Sequence, residues 1–255
     1  MEKMNKKIDL SGFIMKDELN PKIWDGDKMK KEVRKTLLKI ADDYFESLEL
    51  GPEVDIEDIT MTGSLSNYNW SKYSDVDLHI LTDYGDIPVD GDLVLDFLKS
   101  KSSSWNDMHD IKIYGFDVEI YVQDLEEEHT STGVYSILND EWVIKPKKQD
   151  VEIDKEGVKR KANTIMDKVE DLFDDMHDDR DYDKIIEKSE KLQEKIKKMR
   201  QSGLDSVGEF SIENMAFKAL RRNGTLDRLY DIKTLAYDKS LTLENIRYLY
   251  KKTKL

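Results

Sequence analysis

Met61-Thr-Gly-Ser-Leu-Ser-Asn-Tyr-Asn-Trp-Ser-Lys-Tyr-Ser-Asp-Val-Asp-Leu-His-Ile80 is the stretch from which the rest of the chain can be read. Just before and into it, Ile56, Ile59 and Met61 have the character of a strand that runs into Gly63-Ser64. After a polar segment, Asp75 and Asp77 alternate with Val76, Leu78 and Ile80. That is the period-two pattern of a second strand, with the aspartates on one face and the aliphatics on the other. Two carboxylates about 7 Å apart along a strand suit a pair of Mg²⁺ ions separated by about 3.5 to 4 Å, as used in phosphoryl transfer. Gly63 fits the same chemistry, because a residue without a Cβ lets backbone N–H groups approach a phosphate where the next helix begins. Ser64 is the expected direct contact to nucleotide phosphates, and a side chain at position 63 is expected to spoil that contact with little loss of fold. The layout is that of a metal-dependent nucleotide site.

A pair of aspartates has little weight of its own in a chain where 55 of 255 residues are acidic, and Asp181 with Asp183 repeats the spacing by accident. What adds weight is Ile111-Lys-Ile-Tyr-Gly-Phe-Asp-Val-Glu-Ile-Tyr-Val122, which reads as two strands meeting at Tyr114-Gly115. The second of them carries Asp117 and Glu119 on one face. Spacing does not separate these two acids. Glu119 is favoured because it sits deeper in the apolar run, whereas Asp117 lies beside the turn, where aspartate is ordinary turn chemistry. His79 shares the face of Asp75 and Asp77, but hard Mg²⁺ prefers oxygen, so a supporting role or plain exposure is expected of it.

The ordered set of Gly-Ser, apolar-Asp-apolar-Asp-apolar and a later apolar-acid-apolar strand resembles the DNA polymerase β-like nucleotidyltransferase superfamily. That group includes kanamycin nucleotidyltransferase, the CCA-adding and poly(A) polymerases and many minimal nucleotidyltransferases. The resemblance covers roughly residues 28 to 125, and Ser211 to Arg228 is faintly similar to segments from nucleotidyltransferase-like proteins of large bacteriophages. It implies an α/β (α+β) fold: a mixed-sheet catalytic domain over residues 1–150, with an N-terminal arm and helix, followed by a helical domain over 151–255. It further implies transfer of a nucleoside monophosphate from an NTP, such as ATP, to an acceptor hydroxyl with release of pyrophosphate. Asp75, Asp77 and Glu119 would be the catalytic metal ligands for two Mg²⁺ ions, with Mn²⁺ an alternative, and Gly63 and Ser64 the nucleotide-binding residues. A catalytically silent nucleotide-binding or interaction protein that retains the fold is the second reading, and a structural protein whose helical half does the work is the third.

Composition bounds the partners. The chain has no cysteine, no apolar run behind Met1–Lys7 of the kind a secretory signal carries, and no apolar stretch long enough to span a membrane. A soluble, cytoplasmic protein with no membrane partner is expected. A net charge of −14 argues against binding duplex DNA, which needs many phosphate contacts from Lys and Arg. It also favours a small molecule or a protein side chain over RNA as acceptor.

Ile8 to Trp24 reads as an irregular arm docked through Phe13, Ile14, Leu19, Ile23 and Trp24. Asp25-Gly-Asp27 offers a helix cap ahead of the stripe Met29, Val33, Leu37, Ala41, Tyr44 and Leu48, and Gly51-Pro52 stops that helix. Ser66 to Ser74 reads as a short helix or a structured loop. Leu93, Val94, Phe97 and Leu98 predict a short helix that dissolves into Lys99-Ser-Lys-Ser-Ser-Ser104. Thr130 to Gly133 is a loop that could join the nucleotide pocket, and a hairpin is expected around Asn139-Asp140. From Val151 the pattern turns helical, with a pair of long amphipathic helices, a helix opened by Ser211 and closed at Asn223-Gly224, and shorter helices beyond. Lys218, Arg221, Arg222 and Arg228 form the one cationic group that stands out.

Overall fold

The computed structural model describes residues 8–10, 12–87, 91–127, 131–148, 152–178 and 181–243. The chain is mixed α/β and divides into two units, Gly12–Asp150 and Val151–Leu255, with Met1–Ser11 grouping with the second.

In the first unit, Asp25 to Lys28 is not a helix cap. It turns a two-stranded hairpin of β1 (Trp24–Asp25) and β2 (Lys28–Met29), with Gly26 at φ +58°. Helix α1 (Lys31–Ser47) follows and buries Val33, Leu37, Ala41 and Tyr44, the face set out by its apolar spacing. Strand β3 (Asp58–Thr62) leads through a 3₁₀ turn at Ser64–Ser66 to β4 (Val76–Thr82). Helix α2 (Gly91–Met108), β5 (Lys112–Ile113), β6 (Phe116–Asp124), β7 (Val134–Ser136) and β8 (Glu141–Ile144) complete the unit. The main sheet has the order β5-β6-β4-β3-β7-β8. Of its pairings only β4 with β6 is parallel, and α2 supplies the crossover that a parallel pair needs.

Cross-strand register sorts the residues of β3, β4 and β6 into rows. Met61, Leu78 and Ile120 are aligned, as are Ile59, Ile80 and Val122. These aliphatic rows pack with Leu37 and Ala41 of α1 and Val94 and Leu98 of α2 in one core. Each fully buried Leu or Ile contributes about 1.5–3 kcal/mol relative to exposure. The alternate rows, Thr62–Asp77–Glu119 and Thr60–His79–Tyr121, therefore share the opposite face of the sheet.

Helix α2 does not dissolve at its serines. Ser102 is buried and its hydroxyl is 2.9 Å from that of Tyr44, while Trp105 meets the Tyr44 ring edge-on at 5.1 Å. Packing against α1 thus carries the helix through residues of weak propensity. At its far end, the Asn106 side chain accepts from the Ile120 N–H (3.0 Å) and donates to the Ile120 carbonyl (3.1 Å).

The arm is anchored by Trp24, which stacks on Trp142, meets Tyr135 edge-on and donates from Nε1 to the Leu65 carbonyl at 2.7 Å. Phe13, Leu19 and Ile23 are buried as expected, but Ile14 is exposed. The hairpin around Asn139-Asp140 forms, with β7 and β8 antiparallel and Asp140 at φ +58°.

The second unit is helical over its described residues: α3 (Lys155–Asp178), α4 (Tyr182–Ser206), α5 (Ile212–Arg222) and α6 (Thr225–Leu241). Ser211 caps α5 by accepting from Asn214 N, and Gly224 separates α5 from α6 at φ +77°. Of the shorter helices expected after Gly224, the one carrying Leu226, Leu229 and Tyr230 is α6, which runs to Leu241, and the last, expected from about Thr242, lies outside the described residues beyond Leu243. Among the described residues no helix is long and apolar enough to cross a membrane.

The Tyr44–Ser102 contact generates a test. Ser102→Ala leaves a buried tyrosine hydroxyl without its partner and is expected to cost about 1–3 kcal/mol. Ser103→Ala, on the exposed side of the same turn, should be neutral or stabilise by up to about 0.5 kcal/mol. Urea denaturation followed by tryptophan fluorescence reads this unit alone, because all four tryptophans lie within it. Equal effects of the two substitutions would mean that the helix does not bury Ser102.

Candidate functional site

β4 and β6 bring Asp77 and Glu119 side by side. They are register partners on adjacent parallel strands, with Thr62 of β3 completing the row. Both carboxylates are half-buried. The next row along the same face supplies a chain of polar contacts: Thr62 Oγ1 lies 3.2 Å from His79 Nε2, and the His79 ring lies against Tyr121 with centroids 5.3 Å apart. The Tyr121 hydroxyl in turn donates to Glu119 Oε2. Glu119 is thereby held from its own strand, two residues on.

Gly63 belongs to the same spot. Its backbone stands at φ +73°, ψ −160°, a region essentially restricted to glycine. A Cβ built on it would fall 1.8 Å from Asp77 Oδ2. The space left by the missing side chain is taken by the Asp77 carboxylate, so the glycine serves Asp77 and the turn as well as any phosphate. A side chain at position 63 would be strained at this φ and would have to displace the Asp77 carboxylate. Ser64 opens the 3₁₀ turn, and its hydroxyl donates to Ser74 Oγ at 2.7 Å. This bond ties the exit of β3 to the entry of β4.

Asp75 lies one residue before β4, half-buried. The alternation that aligns Asp77 with Glu119 begins only at Val76, so it does not extend to Asp75. Asp117 is exposed and paired with Lys112, whose ammonium is raised above its ordinary value by Asp110 and then by Asp117. Its charge is thus engaged at the β5–β6 hairpin, whereas Glu119 faces the Asp77 row.

Two further segments reach this region. Asn67 Nδ2 donates to Thr132 Oγ1 at 2.6 Å, and a Cβ on Gly133 would lie 2.1 Å from the Ser66 carbonyl. The hydroxyl-rich segment thus packs on the turn that follows Gly63, while Thr130 lies outside the described residues. Beside Glu119 and Tyr121 a cavity of about 270 Å³ opens, walled by Lys99, Ser103, Asn106 and Asp107 of α2. Sequence reasoning missed Tyr121 and Thr62; period-two counting from Glu119 and Asp77 would have put Tyr121 on the same face.

Asp77 and Glu119 are hard oxygen donors of the kind Mg²⁺ takes, and their adjacency fits a shared divalent cation. Among the described residues no three His, Asp or Glu side chains are drawn together tightly enough to hold a metal ion as they stand. A third ligand would have to be brought in by side-chain rotation, with Asp75 at the entry to β4 the nearest acid in sequence. Lys218 is largely desolvated beside Arg222, Arg221 and Arg200, with Glu209 opposing them, whereas the Arg228 guanidinium stacks over Phe173 at 4.0 Å and lies 3.8 Å from Glu170.

Comparison with family models, with curated proteins and with solved structures finds no match.

Gly63→Ala is expected to destabilise the first unit by about 2 kcal/mol or more, through backbone strain of about 1–3 kcal/mol and displacement of the Asp77 carboxylate. In an Asp77→Ala background the second contribution disappears, and the cost of Gly63→Ala should fall by about 1 kcal/mol or more. Equal costs in both backgrounds, measured by urea denaturation, would show that the carboxylate does not occupy the glycine's missing side-chain space.

Proposed function

We propose that the protein is a metal-dependent nucleotidyltransferase that moves a nucleoside monophosphate from an NTP to an acceptor hydroxyl. The observation that supports this most is the meeting of three sequence-remote motifs, Gly63-Ser64, Asp77 and Glu119, at one point of one sheet face. The resemblance of the ordered motifs to DNA polymerase β-like nucleotidyltransferases supports it independently.

In this reading Asp77, with Asp75, would hold the cation that accompanies the triphosphate, and Glu119 would join Asp77 on the acceptor side. Bound Mg²⁺ or Mn²⁺ supplies positive charge that offsets the triphosphate and lowers the pKa of the acceptor hydroxyl. The acceptor oxygen forms a bond to the α-phosphorus as the bond to pyrophosphate breaks, and the hydroxyl proton passes to solvent. Gly63 and the backbone of the following 3₁₀ turn face the phosphates. Ser64 acts first as a clasp on Ser74, keeping the two strand ends in register, and Tyr121 aims Glu119. The 270 Å³ cavity beside Glu119 is below the usual size of a ligand site, roughly 300–1,000 Å³. Such a space suits a compact acceptor, a small molecule or a protein side chain, better than a polynucleotide.

A catalytically silent nucleotide-binding module is the second reading, and the engagement of Glu119 by the Tyr121 hydroxyl favours it. Incubation with labelled ATP, CTP, GTP and UTP, Mg²⁺ and cell lysate, followed by separation of protein, RNA and small-molecule fractions, distinguishes the two. Label transferred to any fraction supports the enzyme; nucleotide binding without transfer supports the silent module.

Two further outcomes are expected. NTP affinity measured by calorimetry should collapse in chelator, and equal affinity with and without Mg²⁺ would remove the mechanism. Glu119→Gln should lower turnover by about 10² or more, in line with losing a positioned activating group, with nucleotide affinity nearly kept. Asp117→Asn, at an exposed and already paired acid, should change little. The reverse pattern would move the third carboxylate to Asp117.

A further inference from the structure

The helical unit holds a site that the nucleotide chemistry does not use. Between α3 and α4 lies a groove of about 510 Å³, within the size range of small-ligand sites, roughly 300–1,000 Å³. Its floor is aliphatic, with Ile165 from α3 and Leu192 and Ile196 from α4. Its mouth is cationic, with Arg160 and Lys168 from α3 and Lys195 from α4. Among the described lining residues there is neither an aromatic ring nor a carboxylate.

Elsewhere in this unit several cations are matched with acids: Lys161 with Glu213, Lys188 with Asp175, Lys233 with Glu190. Lys168 and Lys195 instead face each other from neighbouring helices. Each proximity of like charges is unfavourable, and an anion between them would relieve it. The Lys168 amine is held below its ordinary value, first because its neutral form can accept a hydrogen bond from the Lys195 ammonium and then by the charge of Lys195. In a chain of net charge −14 this mouth is a local inversion of sign. The long lysine stems extend the apolar wall upward while their heads stay in water.

We propose that this groove binds a soluble single-chain amphiphile, its alkyl tail on the floor of Ile165, Leu192 and Ile196 and its anionic head, a carboxylate or phosphate, between Lys168 and Lys195. Other occupants fit less well. A nucleotide would find no ring to stack on and no polar floor to read its base. Inorganic phosphate alone would gain nothing from the aliphatic floor. An acidic helix lying along α3 and α4 would run into Asp171 and Asp175, which line the adjoining groove of the same helix pair.

Calorimetry on the intact chain with dodecyl phosphate, below the concentration at which it forms micelles, tests the proposal, with inorganic phosphate and dodecyl maltoside alongside. Saturable one-site binding of dodecyl phosphate is expected, together with a raised melting temperature, because the ligand binds the folded state. The double substitution Lys168→Ala with Lys195→Ala, at two exposed positions, should weaken it about tenfold. Thr164→Asp, which sets a carboxylate in the lining and leaves both lysines in place, should weaken it as well. Any of four results would overturn the proposal: no saturable binding, a lowered melting temperature, equal affinity for dodecyl maltoside, or unchanged affinity in the double variant. Saturable binding of an acidic amphipathic peptide without binding of dodecyl phosphate would assign the groove to a protein partner and equally overturn it.

Discussion

Parallel pairing of β4 with β6 is the constraint on which the sheet unit depends. Strands that run side by side in the same direction cannot be joined by a tight turn, so the chain must leave the sheet, cross over and return. Helix α2 makes that crossing, and its apolar side settles with α1 on the aliphatic rows. The polar rows are thereby left to the other face. Register follows from the same burial. A slip of one residue would set Asp77 beside Val118 or Ile120 and turn Glu119 toward the helices. Burial of Ile120 and Leu78 therefore determines that the two carboxylates are neighbours.

Much of this was legible in the chain, because alternation is a local signal. The pattern from Val76 to Ile80 and from Phe116 to Val122 reads as strand without any knowledge of partners, and so does the helical stripe from Val33 to Tyr44. What was not legible depends on residues far apart. The serines of α2 look like a loop until Tyr44, 58 positions away, is seen to meet Ser102. That Gly63 also makes room for the Asp77 carboxylate leaves no mark in the sequence. Strand order left no local trace either. Asp75 and Asp77 look equivalent in the sequence, yet only one lies inside the strand.

The charged composition belongs mostly to solvated helix faces. Pairs such as Lys39 with Asp43, Lys191 with Glu187 and Lys198 with Glu194 lie one helical turn apart and are well exposed. Exposed pairs of this kind contribute at most a few tenths of a kcal/mol each. Stability in the second unit rests on its buried stripe, including Val158, Ala162, Met166 and Val169 of α3 with Leu220, Leu229 and Ile232. Against so acidic a composition, the few places where cations cluster become informative.

Asn106 has a consequence for how this protein meets its own copies. β5 pairs with β6 at Asp117 and Phe116, and beyond them the Val118 N–H donates to the Ile111 carbonyl and the Val122 carbonyl accepts from the Tyr84 hydroxyl. An open strand margin is a template on which another chain can add a strand and start aggregation. The carboxamide of Asn106 presents one donor and one acceptor to Ile120, as a neighbouring strand would, and so occupies the place where such an addition would begin. The crossover helix thus ends in a side chain that, with Ile111 and Tyr84, occupies main-chain groups on which the sheet could otherwise be extended.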